Sequence, residues 1–446
     1  MPRPPNSTDR YRALKTSVDE VHRTLLEHVA SGGDIAVVKA PPGSGKTYLL
    51  LEAVAHARAL GKRVAVATQT NAQAHDVCMR LASRAPSVPC FRFAGASTAP
   101  QNLGPAVQWA VKPAELPLGP CVAVGTSAKW GAVEIVHPFD VLFIDEAWQL
   151  SWANFMPMQQ VSGRFVMIGD PGQIPPIVPI DPARWETAPT PPHRAAPEVV
   201  LARVGRALRL ALPATWRLPY ETTSFVRDFY DFDFDAVAEP GARGLLMSSA
   251  GSGAVRDALQ TMGSATIAGL TIRTPEHGPP VERDDEIASL AVEAACRLLE
   301  AETTVVMDGK SSLLQPEDIG LAATHRVMNS AMQLRIPAAY RDKLWVDTPE
   351  RWQGLERRIM IVVHPLSGVT RPSSFDLETG RLCVMASRHQ VGLLVVSRDH
   401  VGQTLDDHVP SAEQAPGLPD ITGRGHDQHL RFWKRLQEQG QLVRAA

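Results

Sequence analysis

The stretch IAVVKAPPGSGKTYLLLEAVAHARA, residues 35–59, predicts a buried strand, a glycine-rich loop and a helix in that order. Its β-branched start favours a strand, the Pro and Gly residues that follow favour a sharp turn, and the Leu/Ala-rich run from Tyr48 favours a helix. Within it, APPGSGKT at 40–47 fits the pattern G-x-x-x-x-G-K-[ST], with Ala40 in place of the first glycine. A loop of this kind between a strand and a helix cradles phosphate groups. The sequence therefore predicts a nucleoside triphosphate site.

The residue types in this loop suit the binding of phosphate and Mg²⁺. Gly43 and Gly45 let backbone N–H groups approach phosphate oxygens. Lys46 is expected to reach the β- and γ-phosphates, and the Thr47 hydroxyl is expected to bind Mg²⁺. The alternative is a glycine-rich turn without a ligand, which the strand before it and the helix after it disfavour. The candidate nucleotide-binding residues here are Pro42, Gly43, Ser44, Gly45, Lys46, Thr47 and Tyr48.

Two further strands end in polar residues downstream of the loop. FDVLFIDEAWQL, residues 139–150, delivers Asp145 and Glu146 to the carboxyl end of an apolar strand. There Asp145 can hold Mg²⁺ and Glu146 can polarise an attacking water, although acidic pairs elsewhere are often solvated surface features. RFVMIGDPGQIPPIV, residues 164–178, repeats this plan and places Gln173 on a proline-bounded loop, where it could sense a γ-phosphate.

The length and composition indicate a globular protein of two or three domains. The chain has 446 residues, 44% of them hydrophobic, and no uninterrupted apolar run long enough to span a bilayer. Its N-terminus lacks the apolar segment of a signal peptide, so we expect residence in the cytoplasm and no membrane contact. A net charge of −2 gives no overall basic field, so any nucleic-acid contact must be local. The five cysteines form no C-x-x-C pair, which argues against a zinc module or a disulfide framework.

Breaks in the hydrophobic pattern predict the domain boundaries. The stretch 181–197 is dense in proline and is expected to be a linker, and the polar, Pro/Gly-punctuated end is expected to form a tail. Two stretches without a long periodic pattern, about 85–120 and about 235–280, are interpreted as irregular insertions. The predicted parts are a first domain at 1–190, a second at 198–405 and a tail at 406–446 with a helix at about 427–439.

Taken together, the motifs resemble those of superfamily 1 helicases, in the 5′-to-3′ branch of the RNA-surveillance helicases and RecD, as a compact variant with short insertions. APPGSGKT resembles motif I, DEAW at 145–148 looks like motif II, and GDPGQIPP at 169–176 looks like the distinctive motif III of this branch. The others follow in the family's order: TQTNAQAHD (68–76), VGTSAKW (124–130), TWR (215–217), IGLAATHR (319–326), VDTPERWQGLE (346–356) and VMASRH (384–389). The resemblance covers most of the chain. The helix ahead of motif I has no clear Q-motif glutamine, so selectivity for adenine stays open.

The resemblance implies an α/β fold of two tandem RecA-like P-loop domains, with parallel sheets flanked by helices and ATP bound between them. Lys46, Thr47, Asp145, Glu146 and Gln173 would come from the first domain. By position, Arg217 and Arg388 would be arginine fingers, Glu356 would hold the ribose, and Gly354 beside it would belong to the nucleotide site. A planar guanidinium suits such a finger because it stabilises charge on the γ-phosphoryl group. ATP and Mg²⁺ are the implied cofactors.

The same resemblance implies that a single nucleic-acid strand, DNA or RNA, crosses both domains. Asn71, Thr126 and Thr348 match positions that contact phosphates in the family. Trp130 and Trp352 could stack on bases or pack in the core, and the sequence favours neither possibility.

The leading hypothesis is an ATP-hydrolysing translocase or helicase that acts as a monomer on single strands, from 5′ to 3′. The alternative is a nucleic-acid-stimulated ATPase switch that recruits partners without separating strands. The short insertions and the tail helix, a possible docking element for a protein partner, favour this alternative modestly. A metabolic P-loop kinase is disfavoured, because it would not need Arg217 and Arg388.

Overall fold

A computed structural model describes most of the chain and divides it into two compact units. The described residues are 7–84, 89–178, 183–185, 187–248, 251–278, 280, 282–410 and 421–445. The first unit comprises the residues up to Pro171 together with Pro175–Pro213. The second comprises Gly172–Ile174 and the described residues from Ala214 onward.

The first unit is built on a parallel sheet of eight strands, flanked by helices. Its strands lie in the order β4-β3-β5-β2-β6-β7-β1-β8. The strands are β1 (Ile35–Lys39), β2 (Val64–Thr68), β3 (Cys90–Phe93), β4 (Val107–Ala110), β5 (Val122–Thr126), β6 (Val141–Ile144), β7 (Phe165–Gly169) and β8 (Leu208–Ala211). The helices are α1 (Ser7–Ser31), α2 (Lys46–Ala59), α3 (Asn71–Arg84), α4 (Ser127–Gly131), α5 (Trp152–Phe155) and α6 (Ala196–Arg203).

The apolar strands of this sheet are buried on both faces, which is typical of parallel sheets covered by helices. One core cluster joins β1 to α1, α2 and α3 through residues such as Leu25 and Val54. The other lies on the opposite face and includes Trp130 and Leu142. Strand β7 lies between β1 and β6, so the phosphate loop and the acidic pair leave the sheet at the same edge, one strand apart.

The second unit has a parallel sheet of six strands in the order β16-β15-β17-β18-β12-β19. A two-stranded parallel ribbon (β9, β10) and a three-stranded antiparallel sheet (β11, β13, β14) accompany it. The strands are β9 (Ala214–Thr215), β10 (Asp235–Ala236), β11 (Arg243–Leu246), β12 (Ile267–Ile272), β13 (Thr304–Met307), β14 (Lys310–Leu313), β15 (Ile319–Ala322), β16 (Trp345–Asp347), β17 (Arg357–Val363), β18 (His389–Arg398) and β19 (Leu442–Arg444). The helices are α7 (Tyr220–Arg227), α8 (Ala254–Ala265), α9 (Asp285–Glu300), α10 (Arg326–Arg335), α11 (Pro349–Trp352), α12 (Thr379–Ala386), α13 (Val401–Asp407) and α14 (Ile421–Glu438).

The predicted fold class, two α/β units with parallel sheets flanked by helices, is confirmed. The five cysteines are free, and all except the half-buried Cys296 are buried. Among the described residues, none of the helices combines the length and apolar character needed to cross a bilayer.

Each of the two stretches predicted as irregular insertions contributes at least one strand to a main sheet, so that interpretation is wrong for their described parts. In the first, β3 pairs with β5 and β4 pairs with β3, which extends the eight-stranded sheet. In the second, β12 lies between β18 and β19 inside the six-stranded sheet. Strand β3 has only four residues, and the residues around β3 and β12 are rich in Gly, Pro, Ala and Ser, which conceals the strand pattern in the sequence. Residues 85–88, 249–250 and 279 lie outside the described part.

The predicted domain boundary also differs from the division in the structure. Helix α6 and strand β8, assigned from sequence to the second domain, belong to the first unit, where β8 pairs in parallel with β1. The proline-dense stretch 181–197, of which residues 181, 182 and 186 are not described, therefore precedes the last elements of the first unit.

The expected tail is an integral part of the second unit. Helix α14 buries Phe432 and Leu436 completely, and Phe432 contacts the ring of Phe225 on α7 with a centroid distance of 5.7 Å. Strand β19 then pairs with β12. The sequence predicts the helix at 427–439, and the observed helix begins six residues earlier, at Ile421.

Candidate functional site

The phosphate loop of the first unit has the backbone conformation that its glycines predict. Gly43 and Gly45 have φ values of 69° and 84°, in the left-handed region where a side chain would be strained. Gly45 is the N-cap of α2, so the free N–H groups of the first helical turn face the loop. Ala40 instead has an ordinary backbone, and its N–H donates to the carbonyl oxygen of Gly169 at 2.8 Å. The glycine of the pattern is therefore not required at this position.

Lys46 and Glu146 bring the loop and the acidic pair together. Lys46 Nζ lies 2.8 Å from Glu146 Oε1 and 3.0 Å from Oε2, and both side chains are largely shielded from solvent. Glu146 adopts a left-handed backbone with φ of 48°, which costs a non-glycine residue about 1 kcal/mol. Such strain persists only where the surroundings impose it, and it is frequent at functional sites.

Asp145 is the buried member of the acidic pair. Burial, together with the neighbouring Glu146 carboxylate, raises the pKa of Asp145 to about 7, against the opposing effect of Lys46. Two adjacent carboxylates thus share a single lysine, and a divalent cation would relieve their repulsion. Carboxylate and hydroxyl oxygens from Asp145 and Thr47 fit Mg²⁺, which would neutralise phosphate charge when bound.

No described group of three or more His, Cys, Asp and Glu side chains could hold a metal by itself.

The remaining loop residues differ in exposure. Ser44 Oγ is buried and has no hydrogen-bond partner among the described residues, which fits a loop that accommodates a polar group. Tyr48 is 53% exposed, and the Arg84 guanidinium lies 4.4 Å above its ring. Tyr48 is thus accessible directly after the phosphate loop.

A hydrogen-bond network that the sequence pattern did not reveal continues from the acidic pair along the strand ends. Gln69, which follows β2, donates from Nε2 to the carbonyl oxygen of Asp145 at 3.1 Å. Ser127, at the start of α4, donates to Gln69 Oε1 at 3.3 Å. Gln73 Oε1 accepts the backbone N–H groups of Gln69 and Thr70 at 3.0 Å each. The only feature of the sequence that could have indicated this network is that its polar residues follow the ends of apolar strands.

Asn71 and Thr126 lie at the same edge of this sheet. Asn71 is exposed at the start of α3, and its Oδ1 accepts a hydrogen bond from Arg92 Nη2 at 2.6 Å. Its amide N–H₂ group therefore points away from Arg92. Thr126 is the N-cap of α4, and its hydroxyl accepts the N–H of Lys129 at 3.2 Å. The side chain of Thr126 thus has a structural role, and the phosphate-contact prediction for both residues stays a prediction.

Trp130 and Trp352 are core residues, so their assignment as nucleic-acid contacts is wrong. Both are 0% exposed. The Trp130 indole N–H donates to the Val66 carbonyl oxygen at 2.9 Å, and that of Trp352 donates to Leu321 at 3.1 Å. A base can stack only on an accessible ring face, which neither residue offers. Thr348, also predicted as a phosphate contact, is a largely buried N-cap of α11.

Gln173 belongs to the second unit, although the sequence places it in the first domain. Residues Gly172–Ile174 are grouped with the second unit, whereas the residues directly before and after them belong to the first. Their backbone lies directly on the start of α12, where a Cβ at Gly380 would come within 2.6 Å of the Gln173 carbonyl carbon. Only glycine at position 380 permits this approach. Gln173 itself is 6% exposed.

In the second unit, Arg217 and Glu356 form an ion pair. Arg217 Nε lies 2.6 Å from Glu356 Oε2, and Arg217 Nη1 donates to the Ser387 carbonyl oxygen at 3.3 Å. Gln390 Nε2 donates to the other Glu356 oxygen at 2.7 Å. Glu356, predicted to hold a ribose, thus binds the side chain of Arg217. Its side chain remains 43% exposed.

Gly354 precedes Glu356 by two residues, and Arg388 follows Ser387, which accepts a hydrogen bond from Arg217. Arg388 is buried directly after Ser387, the residue whose carbonyl oxygen accepts from Arg217. Gly354 has φ of 80° in the turn that follows α11, a conformation that favours glycine.

Comparison with known families gives one match. A family model described as an AAA domain matches residues 18–188. This range contains the phosphate loop, the acidic pair and the polar residues at the strand ends. Comparison with curated proteins gives no match.

Solved helicases of arteriviruses are distantly similar in structure. The PRRSV helicase is 14% identical, with 84% of this chain and 54% of that chain covered and a TM-score of 0.40. Arterivirus nonstructural protein 10, a helicase, is 13% identical, with 84% and 61% covered and a TM-score of 0.43. The complex of that helicase with DNA is 13% identical, with 84% and 62% covered and a TM-score of 0.42. The chain thus spans 54–62% of the length of these helicases, and at these scores the likeness carries no argument about activity.

Proposed function

We propose that this protein hydrolyses ATP with Mg²⁺ and uses the energy to move along single-stranded DNA or RNA from 5′ to 3′, as a superfamily 1 helicase. The main observation in support is the contact between Lys46 of the phosphate loop and Glu146 of the acidic pair, at 2.8 Å. A phosphate cradle that faces a strained, shielded carboxylate has the parts needed to bind a triphosphate and to activate water. The AAA domain match over residues 18–188 and the order of the motifs support the proposal.

Each residue has a proposed part in the reaction. The backbone N–H groups of the loop and Lys46 bind phosphate oxygens, and Thr47 and Asp145 would hold Mg²⁺. Glu146 orients the attacking water and accepts its proton. Arg217 and Arg388 supply positive charge that stabilises the transition state.

Nucleic-acid binding is assigned to the carboxyl ends of the strands. In the first unit the exposed Asn71 amide is the best-placed donor to a phosphate oxygen. The network of Gln69 and Ser127 joins this edge to the acidic pair, a physical connection through which a bound strand could alter the position of Glu146.

The proposal is tested by measuring ATP hydrolysis with and without DNA and RNA oligonucleotides, followed by unwinding of duplexes with 5′ or 3′ overhangs. Stimulation by single strands and preference for a 5′ overhang are expected. The absence of stimulation by any strand would reject the nucleic-acid role, and a preference for 3′ overhangs would reject the direction. Stimulated hydrolysis without strand movement would point to the ATPase switch. The burial of Phe432 and Leu436 weakens that alternative, because α14 packs within the second unit.

Glu146→Gln separates binding from hydrolysis. The variant keeps the shape of the side chain and the Asp145 carboxylate but loses the proton acceptor, so turnover should fall by roughly 10²-fold or more while ATP binding is retained. Turnover and ATP affinity are measured side by side. Glu198→Gln is the matched control, because Glu198 forms an ion pair with Arg194 in the same unit at 2.9 Å. ATP binding lost in Glu146→Gln but kept in the control would contradict the assigned roles.

A further inference from the structure

Arg243 is a buried arginine outside all of the recognised motifs. It begins β11 and is 8% exposed. Its Nε and Nη2 atoms lie 3.0 and 2.8 Å from the two carboxylate oxygens of Asp308. Asp308 and Gly309 form the two-residue turn between β13 and β14, with φ values of 51° and 81°, as expected for an Asp-Gly hairpin turn. The guanidinium is therefore anchored to a rigid hairpin.

The other donors of Arg243 bind main-chain carbonyl oxygens of two separate segments. Nη2 donates to the carbonyl oxygen of Trp216 at 3.1 Å, and Nη1 donates to that of Arg217. Nη1 also donates to the carbonyl oxygen of Gln390 at 3.2 Å. These contacts occupy the whole five-donor fork of the guanidinium.

The two segments held by Arg243 carry Arg217 and Arg388, the two arginines assigned to the transition state. The first contains Arg217, and the second continues from Arg388 to Gln390. Gln390 and Arg217 both bind Glu356, so one guanidinium fixes the backbone at both sides of this cluster. A lysine has one nitrogen on a flexible stem and could not span these acceptors.

We propose that Arg243 is a positioning residue that presets Arg217 for the transition state of hydrolysis; this inference rests on the proposed function. Arg243 itself binds no substrate. It acts by holding the Trp216 and Arg217 carbonyl oxygens, which fixes the point from which the Arg217 side chain extends. Displacement of a catalytic group by about 1 Å can lower turnover by roughly 10²-fold.

The test compares Arg243→Lys with the wild type in strand-stimulated ATP hydrolysis. We expect kcat to fall by roughly 10- to 100-fold, with KM for ATP changed by less than about 2-fold, because ground-state binding does not use the moved group. The double variant Arg217→Ala/Arg243→Lys should be no slower than Arg217→Ala, since Arg243 is proposed to act through the Arg217 side chain, which the alanine variant already lacks. Arg435→Lys is the matched control: Arg435 binds Asp228 at 2.6 Å, in the same unit but away from Arg217. A kcat of Arg243→Lys equal to that of this control, or an additive double variant, would overturn the proposal.

Hydrogen exchange gives a readout that does not need activity. Arg243→Lys should accelerate amide exchange at residues 214–219 and 388–392 and leave exchange in α9 unchanged. Arg435→Lys should not accelerate exchange at residues 214–219 and 388–392. A wild type without ATP hydrolysis would reject the proposed function, and the exchange pattern would still decide whether Arg243 holds the two segments. If Arg243→Lys does not fold, Asp308→Asn replaces it, because Asp308 is 48% exposed and the change loosens the same guanidinium. Unaltered exchange and kcat in Asp308→Asn would then overturn the proposal.

Discussion

Lys46→Ala is expected to reduce ATP hydrolysis by at least roughly 10³-fold and to weaken nucleotide binding. Loss of a single preorganised donor to a reacting oxygen already costs about 10²–10³-fold, and Lys46 carries a full charge as well. In this protein the lysine also offsets the acidic pair, lying 2.8 Å from Glu146. Without it, Asp145 and Glu146 would repel the incoming phosphates.

The measurements for Lys46→Ala are turnover and ATP affinity, with circular dichroism to verify that the variant is folded. Lys62→Ala is the control, because Lys62 lies in the same unit after the far end of α2, and its side chain donates to the Val29 carbonyl oxygen at 2.7 Å. Undiminished turnover in Lys46→Ala would reject the nucleotide site and the proposed function with it.

Arg388→Ala is expected to lower strand-stimulated turnover by roughly 10²–10⁴-fold while ATP affinity and strand affinity stay close to wild type. The reason is that an arginine that stabilises charge on the γ-phosphoryl group acts in the transition state and little in the ground state. Arg388→Lys should rescue poorly, since an ammonium group cannot reproduce the two parallel N–H donors of the guanidinium.

The comparison for Arg388 is kcat and ATP affinity in wild type, Arg388→Ala and Arg388→Lys. Arg358→Ala serves as the control, because Arg358 forms an ion pair with Asp318 in the same unit at 3.1 Å. Turnover close to wild type in Arg388→Ala would show that Arg388 is structural, and the proposed charge stabilisation would then depend on Arg217. The thermal unfolding temperature of each variant shows whether a loss of turnover results from unfolding of the protein.

The sequence determined those features that depend on local pattern. A β-branched run, a Gly-rich loop and an apolar helix predicted β1, the phosphate loop and α2, and the structure places them at Ile35–Lys39 and Lys46–Ala59. The strand that ends in Asp145 and Glu146 was equally visible, because four consecutive apolar residues followed by two carboxylates mark both a buried strand and the point where it ends. The parallel α/β fold followed from the alternation of such segments.

Tertiary packing decided what local pattern could not. Trp130 and Trp352 stand in motifs where either stacking or core packing was open, and only the surrounding side chains bury them completely. Gly, Pro, Ala and Ser residues around strands β3 and β12 obscure both strands in the sequence. In the structure each strand is stabilised by pairing with neighbours on both sides. Helix α14 forms part of the second unit because Phe432 fills space against α7, which no local pattern of the tail indicates.

The sequence by itself therefore determined the phosphate loop and the acidic pair, since each is encoded within a short run of neighbouring residues, and the order of the motifs along the chain indicated the fold class. Only the tertiary structure decided that Gln173 belongs to the second unit, that Glu356 binds Arg217, and that Arg243 holds the Arg217 segment. The physical reason is that these contacts join residues far apart in the chain, where no local pattern links them. In addition, a guanidinium that binds carbonyl oxygens uses the backbone, which every residue carries, so the residue types of its partners do not reveal the contact.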